Sequence, residues 1–84
     1  MLDRLLAIKV FVRDNWKCRH CNFRNGIDPH HIIFKSHGGE DTLENLITLC
    51  RSCHTGIHDG NLKLVGKDAN KEVKFIRRKG WKPI

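Results

Sequence analysis

Four cysteines fall in two C-x-x-C pairs, Cys18 and Cys21 in "CRHC" and Cys50 and Cys53 in "CRSC". Paired thiols at this spacing suit a tetrahedral zinc ion held by four sulfurs, with disulfides as the alternative. The 28 residues between the pairs exceed the roughly 15 to 20 of a common zinc ribbon, so the metal would close over a long insert. That insert carries two adjacent histidines, His30 and His31, and later Asn45. Beyond the second pair stand His54 and His58, four residues apart.

Histidines at i and i+4 on a helix share one face and form a ready chelate for a divalent ion, which needs a third ligand and an open position. One member of the "HH" pair could supply that ligand. Successive strand side chains point to opposite faces, so the other member is left free beside the ion. A free imidazole there is suited to taking a proton from an attacking water while the ion stabilises phosphate charge.

The elements that position these groups follow from pattern and turn residues. Residues 3 to 15 read as a helix with Leu5, Ile8 and Val12 on one face, although Ile8, Val10 and Val12 also alternate as a strand would. "HHIIF" reads as a strand ended by the turn residues "SHGGEDT", and "LITL" as a second strand ending at Cys50. "RSCHTGIH" suits a helix of about two turns closed by Gly60. "NLKLV" and "EVKFI" alternate around "GKDANK" and read as a hairpin. A strand–strand–helix unit thus sits between the halves of the cysteine site.

At 84 residues the chain is one domain, 1–84, and a chain this short buries only about 60% of its unfolded surface, so it needs a staple. The net charge of +7 is uneven: residues 1–60 carry eight Lys or Arg against seven Asp or Glu, and residues 61–84 eight against two. The +6 end, with Lys74, Arg77 and Arg78, is an electrostatic footprint for nucleic acid; a solvated surface is the plainer reading. Arg4 and Lys9 break the opening apolar run and no small-residue cleavage site follows, which reads as no signal peptide and a cytoplasmic chain with reduced thiols. No apolar run approaches the roughly 18 residues of a membrane helix. His20, inside the first knuckle, could replace a thiolate, but four cysteines already complete a tetrahedron. Lys35, His37 and Arg51 are candidates for phosphate contact with solvated loops as the default, and Trp16 and Trp81 are expected to pack.

The run "PHHIIFKSHGGEDTLENLITLCRSCHTGIH", with "RDNWKCRHC" before it, resembles the HNH endonuclease family. The resemblance covers residues 16 to 58. It implies an α+β fold with a ββα-metal core stapled by a four-cysteine zinc site, between an N-terminal helix (1–15) and a basic C-terminal hairpin (61–84). It also implies metal-dependent cleavage of DNA. By this resemblance His31 matches the general base, His30 the first metal ligand, a position often aspartate in relatives, and Asn45 the residue that orients the base-bearing loop. His54 matches the motif's last ligand, and His58 the additional ligand of three-histidine members or else a helix-surface residue. The cofactors implied are structural Zn²⁺ and a catalytic divalent ion, Mg²⁺, Mn²⁺, Ni²⁺ or Zn²⁺. The partner implied is DNA, bound as a monomer or homodimer, in association with other phage or restriction components. A zinc-stapled module that binds nucleic acid without cutting it is the alternative.

Overall fold

The computed structural model describes residues 2–83. The elements run α1 (Arg4–Arg13), β1 (Ile27–His31), a 3₁₀ turn (Lys35–His37), β2 (Leu46–Cys50), α2 (Arg51–His58), β3 (Leu62–Val65) and β4 (Lys74–Arg77). β1 pairs with β2 and β3 with β4, both antiparallel. The chain is therefore a small α+β fold in which β1, β2 and α2 form the ββα unit and β3–β4 the basic hairpin.

β2, "LITLC", is buried along its whole length, with α1 and α2 both packed against it. A strand covered on both faces reads as a continuous apolar run, which is why this segment does not alternate. Leu46, Ile47 and Leu49 from it, with Val10 and Leu62, are the large buried aliphatic side chains among the described residues. The core is correspondingly small, and Cys18, Cys50 and Cys53 are part of it.

The helix at the N-terminus forms where its pattern predicts, but with a different face inward. Leu5, Ile8 and Val12 are exposed, while Val10 is buried with Asp14 and Leu6 and Arg13 are half-buried. A polar anchor turns the helix. Asp14 accepts hydrogen bonds from Arg13 Nε (2.8 Å) and Nη2 (2.9 Å), from Arg19 Nη1 (2.7 Å) and from the backbone N–H of Thr48 (2.9 Å). Arg13 in turn donates to the carbonyls of Leu43 and Leu46, both at 2.6 Å. Satisfying this buried carboxylate and the two guanidiniums requires the Leu6–Val10–Arg13–Asp14 stripe to face β2, since a buried charge without partners costs far more than an exposed leucine. After Asp14 the chain reverses through two left-handed residues, Asn15 (φ 60°) and Trp16 (φ 56°). Trp16 remains 47% exposed, lying against Phe11 at 5.2 Å between ring centroids, and so packs less than expected. Trp81 packs against the core over Gly56, where any Cβ would collide with its ring.

β1 also differs from the expected "HHIIF" strand: it begins at Ile27 and ends at His31. The ladder stops because a side chain replaces it. Ile32 N–H still donates to the Asn45 carbonyl at 2.8 Å, but Ile33 N–H donates to Asn45 Oδ1 (2.8 Å) and Ile33 O accepts from Asn45 Nδ2 (3.1 Å). Ile33 and Phe34 are thereby bent out of the sheet into the 3₁₀ turn.

Removing the Asp14 carboxylate leaves the buried Thr48 N–H without its acceptor and takes the counter-charge from Arg13 and Arg19, which keep only their carbonyl partners. Asp14→Ala should cost about 3 kcal/mol, the low end for a broken buried ion pair because both arginines keep some solvent. Urea unfolding at saturating metal measures it; a loss under about 0.5 kcal/mol would contradict the anchoring role.

Candidate active site and metal centres

Two clusters of metal-ligating side chains form. In the first, the sulfurs of Cys18, Cys21, Cys50 and Cys53 all lie within 4.8 Å of one another, and all four are free thiols. Cys21 and Cys50 are 3.5 Å apart, far beyond a disulfide bond of about 2.05 Å and near the roughly 3.8 Å edge of a tetrahedron built on 2.3 Å zinc–sulfur bonds. Burial pushes the Cys21 thiol up to about 11 and raises Cys53, and the neighbouring cysteines add to both. Burial would raise Cys50 as well, but hydrogen bonds, that of the Cys53 backbone N–H foremost, hold it below the ordinary thiol value. Sulfurs placed like this shed their protons together only to a cation. The cluster is compatible with a structural zinc site.

His20 is no fifth ligand but supports the four. Its Nε2 accepts from Arg77 Nε at 3.0 Å, so its proton sits on Nδ1, which donates to Cys53 Sγ at 3.2 Å. Its ring lies 5.0 Å from that of Phe75 and 6.3 Å from that of Trp81. Arg77, expected on the DNA-binding face, thus also ties the hairpin to the first knuckle.

In the second cluster His30, His54 and His58 bring their ring nitrogens within 4.8 Å of one another. β1 presents His30 inward, 4% exposed. α2 carries His54 half-buried and His58 exposed, on the shared face that i,i+4 spacing dictates. Phe34, brought over by the Asn45 bend, stacks on His58 at 5.4 Å and 12° and meets His30 edge-on at 5.9 Å. Burial, followed by the nearby His54, His58 and His31, pushes His30 down to about 4; burial also lowers His54, with Asp28 opposing. Neutral imidazole is the form that binds a metal.

His31 points elsewhere, as alternation requires. Its Nε2–H donates to Asp41 Oδ1 at 2.7 Å, and Lys35 Nζ donates to Asp41 Oδ2 at 3.1 Å. These two hydrogen bonds, His31's first, hold the Asp41 carboxyl below the usual range. His31 still lines, with Pro29, His30, Phe34, His54 and His58, a cavity of about 290 Å³. Asn45 lies outside it and acts on the loop, donating also to the carbonyl of Glu40 at 2.9 Å. Lys35 sits at the rim with its side chain 59% exposed; Arg51, Lys74 and Arg78 are exposed. Spacing marks neither Asp41 nor Phe34 and offers His20 only as a substitute for a thiolate, since each acts through a partner that the fold alone brings near.

The depressed value of His30 has a direct consequence. An ordinary histidine changes charge around pH 6.5, whereas His30 should stay neutral, its ring resonances unmoved from about pH 7.5 to about pH 5.5. NMR titration without the second metal reads this. A midpoint near the ordinary value would contradict the burial described.

Among the described residues no helix is long and apolar enough to cross a membrane. The chain matches the family model described as HNH endonuclease over residues 18–60. It is similar to anaredoxin of Nostoc sp., 38% identical over 52 residues that span 61% of this chain and 68% of that protein. It is also similar to the type IV methyl-directed restriction enzyme EcoKMcrA of Escherichia coli (strain K12), 44% identical over 32 residues, which are 38% of this chain and 12% of that enzyme. No solved structure matches. With both histidine pairs, Asn45 and both cysteine pairs inside the matched span, the chain belongs to the HNH endonuclease family.

Proposed function

We propose that this chain is a metal-dependent endonuclease that hydrolyses DNA phosphodiester bonds, by nicking or by double-strand cleavage. The observation that carries the reading is the single cavity at which the three-histidine cluster and the separately held His31 converge. His30, His54 and His58 would hold a divalent ion, and the four cysteines a zinc ion that is purely structural. Three imidazoles suit Mn²⁺, Ni²⁺ or Zn²⁺ better than Mg²⁺, which prefers oxygen ligands.

The bound ion would supply Lewis-acid stabilisation of the charge that develops on the phosphate and the leaving oxygen. The protein's own steps are few. His31 takes a proton from water on Nδ1, and the water oxygen attacks phosphorus in line. The bond to the leaving sugar oxygen breaks, and that oxygen is protonated from solvent. His31 then returns its proton to solvent. Asn45 holds the loop that carries these groups. Lys35, Arg51, Lys74, Arg77 and Arg78 would meet DNA phosphates, which position a duplex without reading its sequence. Residues 1–84 act as one domain, alone or as a homodimer, in a reducing cytoplasm where a four-thiolate site persists. The phage or restriction setting common in the family implies further protein partners.

Supercoiled plasmid cleavage under single-turnover conditions tests the division of labour. His31→Ala should retain both metals and DNA affinity yet lose about 10² to 10⁴ in rate. His54→Ala should instead bind the catalytic ion more weakly, by calorimetry, and regain activity in excess metal. A wild-type protein that binds DNA but cuts it with none of the four ions is a zinc-stapled binding module. His31→Ala cutting at the wild-type rate would remove the base assignment.

A further inference from the structure

We propose that Asp41 is the positioning residue of the catalytic base: its carboxylate takes the Nε2–H of His31 and so keeps the proton off Nδ1, the nitrogen that must receive one from water. The proposal rests on the reading of His31 as the base and adds the group that decides which of its nitrogens is basic.

Three observations meet at this residue. A carboxylate only accepts hydrogen bonds, so the 2.7 Å contact between His31 Nε2 and Asp41 Oδ1 requires the proton on Nε2. Both carboxylate oxygens are engaged, the second by Lys35 at 3.1 Å, which prevents the group from turning away and offsets its charge where a phosphate must approach. The segment that presents Asp41 is itself fixed. Asn45 holds the carbonyls of Ile33 and Glu40, and at Gly39 any Cβ would run into the Ile33 carbonyl oxygen. Asn45 therefore reaches His31 by way of the loop and Asp41, with no direct contact between the two side chains in the hydrogen-bond pattern. His31 and Asp41 keep side-chain exposures of 23% and 31%, open enough for substrate to reach the ring.

The same geometry orders two substitutions. In Asp41→Ala the imidazole loses its orienting acceptor and populates both tautomers. In Asp41→Asn the outcome is worse. Lys35 has only donors, so it claims the amide oxygen and turns the amide N–H toward His31. Nε2 must then accept, and the proton moves to Nδ1, where it blocks base action. A comparable carboxylate-to-amide change in a serine-protease triad costs about 10⁴ through the wrong tautomer.

The test combines ¹⁵N NMR of the neutral His31 ring with single-turnover plasmid cleavage and calorimetric metal binding, on wild type, Asp41→Ala, Asp41→Asn and His31→Ala. The wild-type ring should be the Nε2–H tautomer, Asp41→Ala a mixture with a rate about 10- to 100-fold lower, and Asp41→Asn the Nδ1–H tautomer with a rate about 10² to 10⁴ lower. Metal affinity should not change in either Asp41 variant. The proposal is overturned by a wild-type Nδ1–H ring or by Asp41 variants that cleave as the wild type does. It is equally overturned if their rate loss follows weakened metal binding, which would make Asp41 a loop brace alone. If the wild type does not cleave, or His31→Ala cleaves normally, the base assignment fails instead, and the ring signals still decide for or against the tautomer.

Discussion

Four sulfurs drawn from two distant points of the chain must meet at one place, and most of the structure is arranged around that meeting. Cys18 follows the reversal after α1, Cys50 ends β2 and Cys53 lies in the first turn of α2. Fixing Cys53 fixes the start of the helix whose next residue is His54, so the cysteine cluster also sets the phase of the histidine face. The aliphatic core is too small to do this alone. A structural zinc ion typically contributes about 10 to 16 kcal/mol, as much as or more than the roughly 5 to 15 kcal/mol net stability of an entire domain.

Two polar side chains do the remaining positioning by standing in for backbone. Asp14 accepts the N–H of Thr48 in the middle of β2 and so sets the rotation of α1. Asn45 ends the β1 ladder by offering its amide where a further strand residue would be. The bend that results does two jobs. It stacks Phe34 on His58, and it carries the following loop round until Asp41 reaches His31. Adjacent histidines can then serve different partners, one buried beside His54 and His58 and one held at the cavity wall.

What was legible in the sequence was local spacing. The cysteine pairs, the i,i+4 histidines and the alternating "HH" depend on contacts within a turn or two or on a resemblance carried by a continuous run, and the closing hairpin on alternation within each of its strands. What was not legible depends on partners far along the chain. The inward face of α1 is decided by an acceptor 34 residues from Thr48, which hydrophobic periodicity does not register. The early end of β1 is decided by an asparagine 12 residues beyond Ile33. His20 meets Arg77 57 residues away. The first two are buried polar groups whose need for partners outweighed an apolar pattern, and the third is a half-buried ring on which periodicity is silent.

As proposed, one short chain would hold two metal centres with separate duties, sulfurs for folding and histidines for cleavage. Cobalt(II) titration of the metal-stripped protein, read by absorption, circular dichroism and plasmid cleavage in the same samples, tests it most directly. Thiolate ligation should appear with the first equivalent and bring the fold with it, because binding at such a site is coupled to folding. Cleavage should wait for the second equivalent, taken by the histidines without new thiolate absorption. Cleavage that rises with the first equivalent, or a fold complete before any thiolate signal appears, would contradict the account.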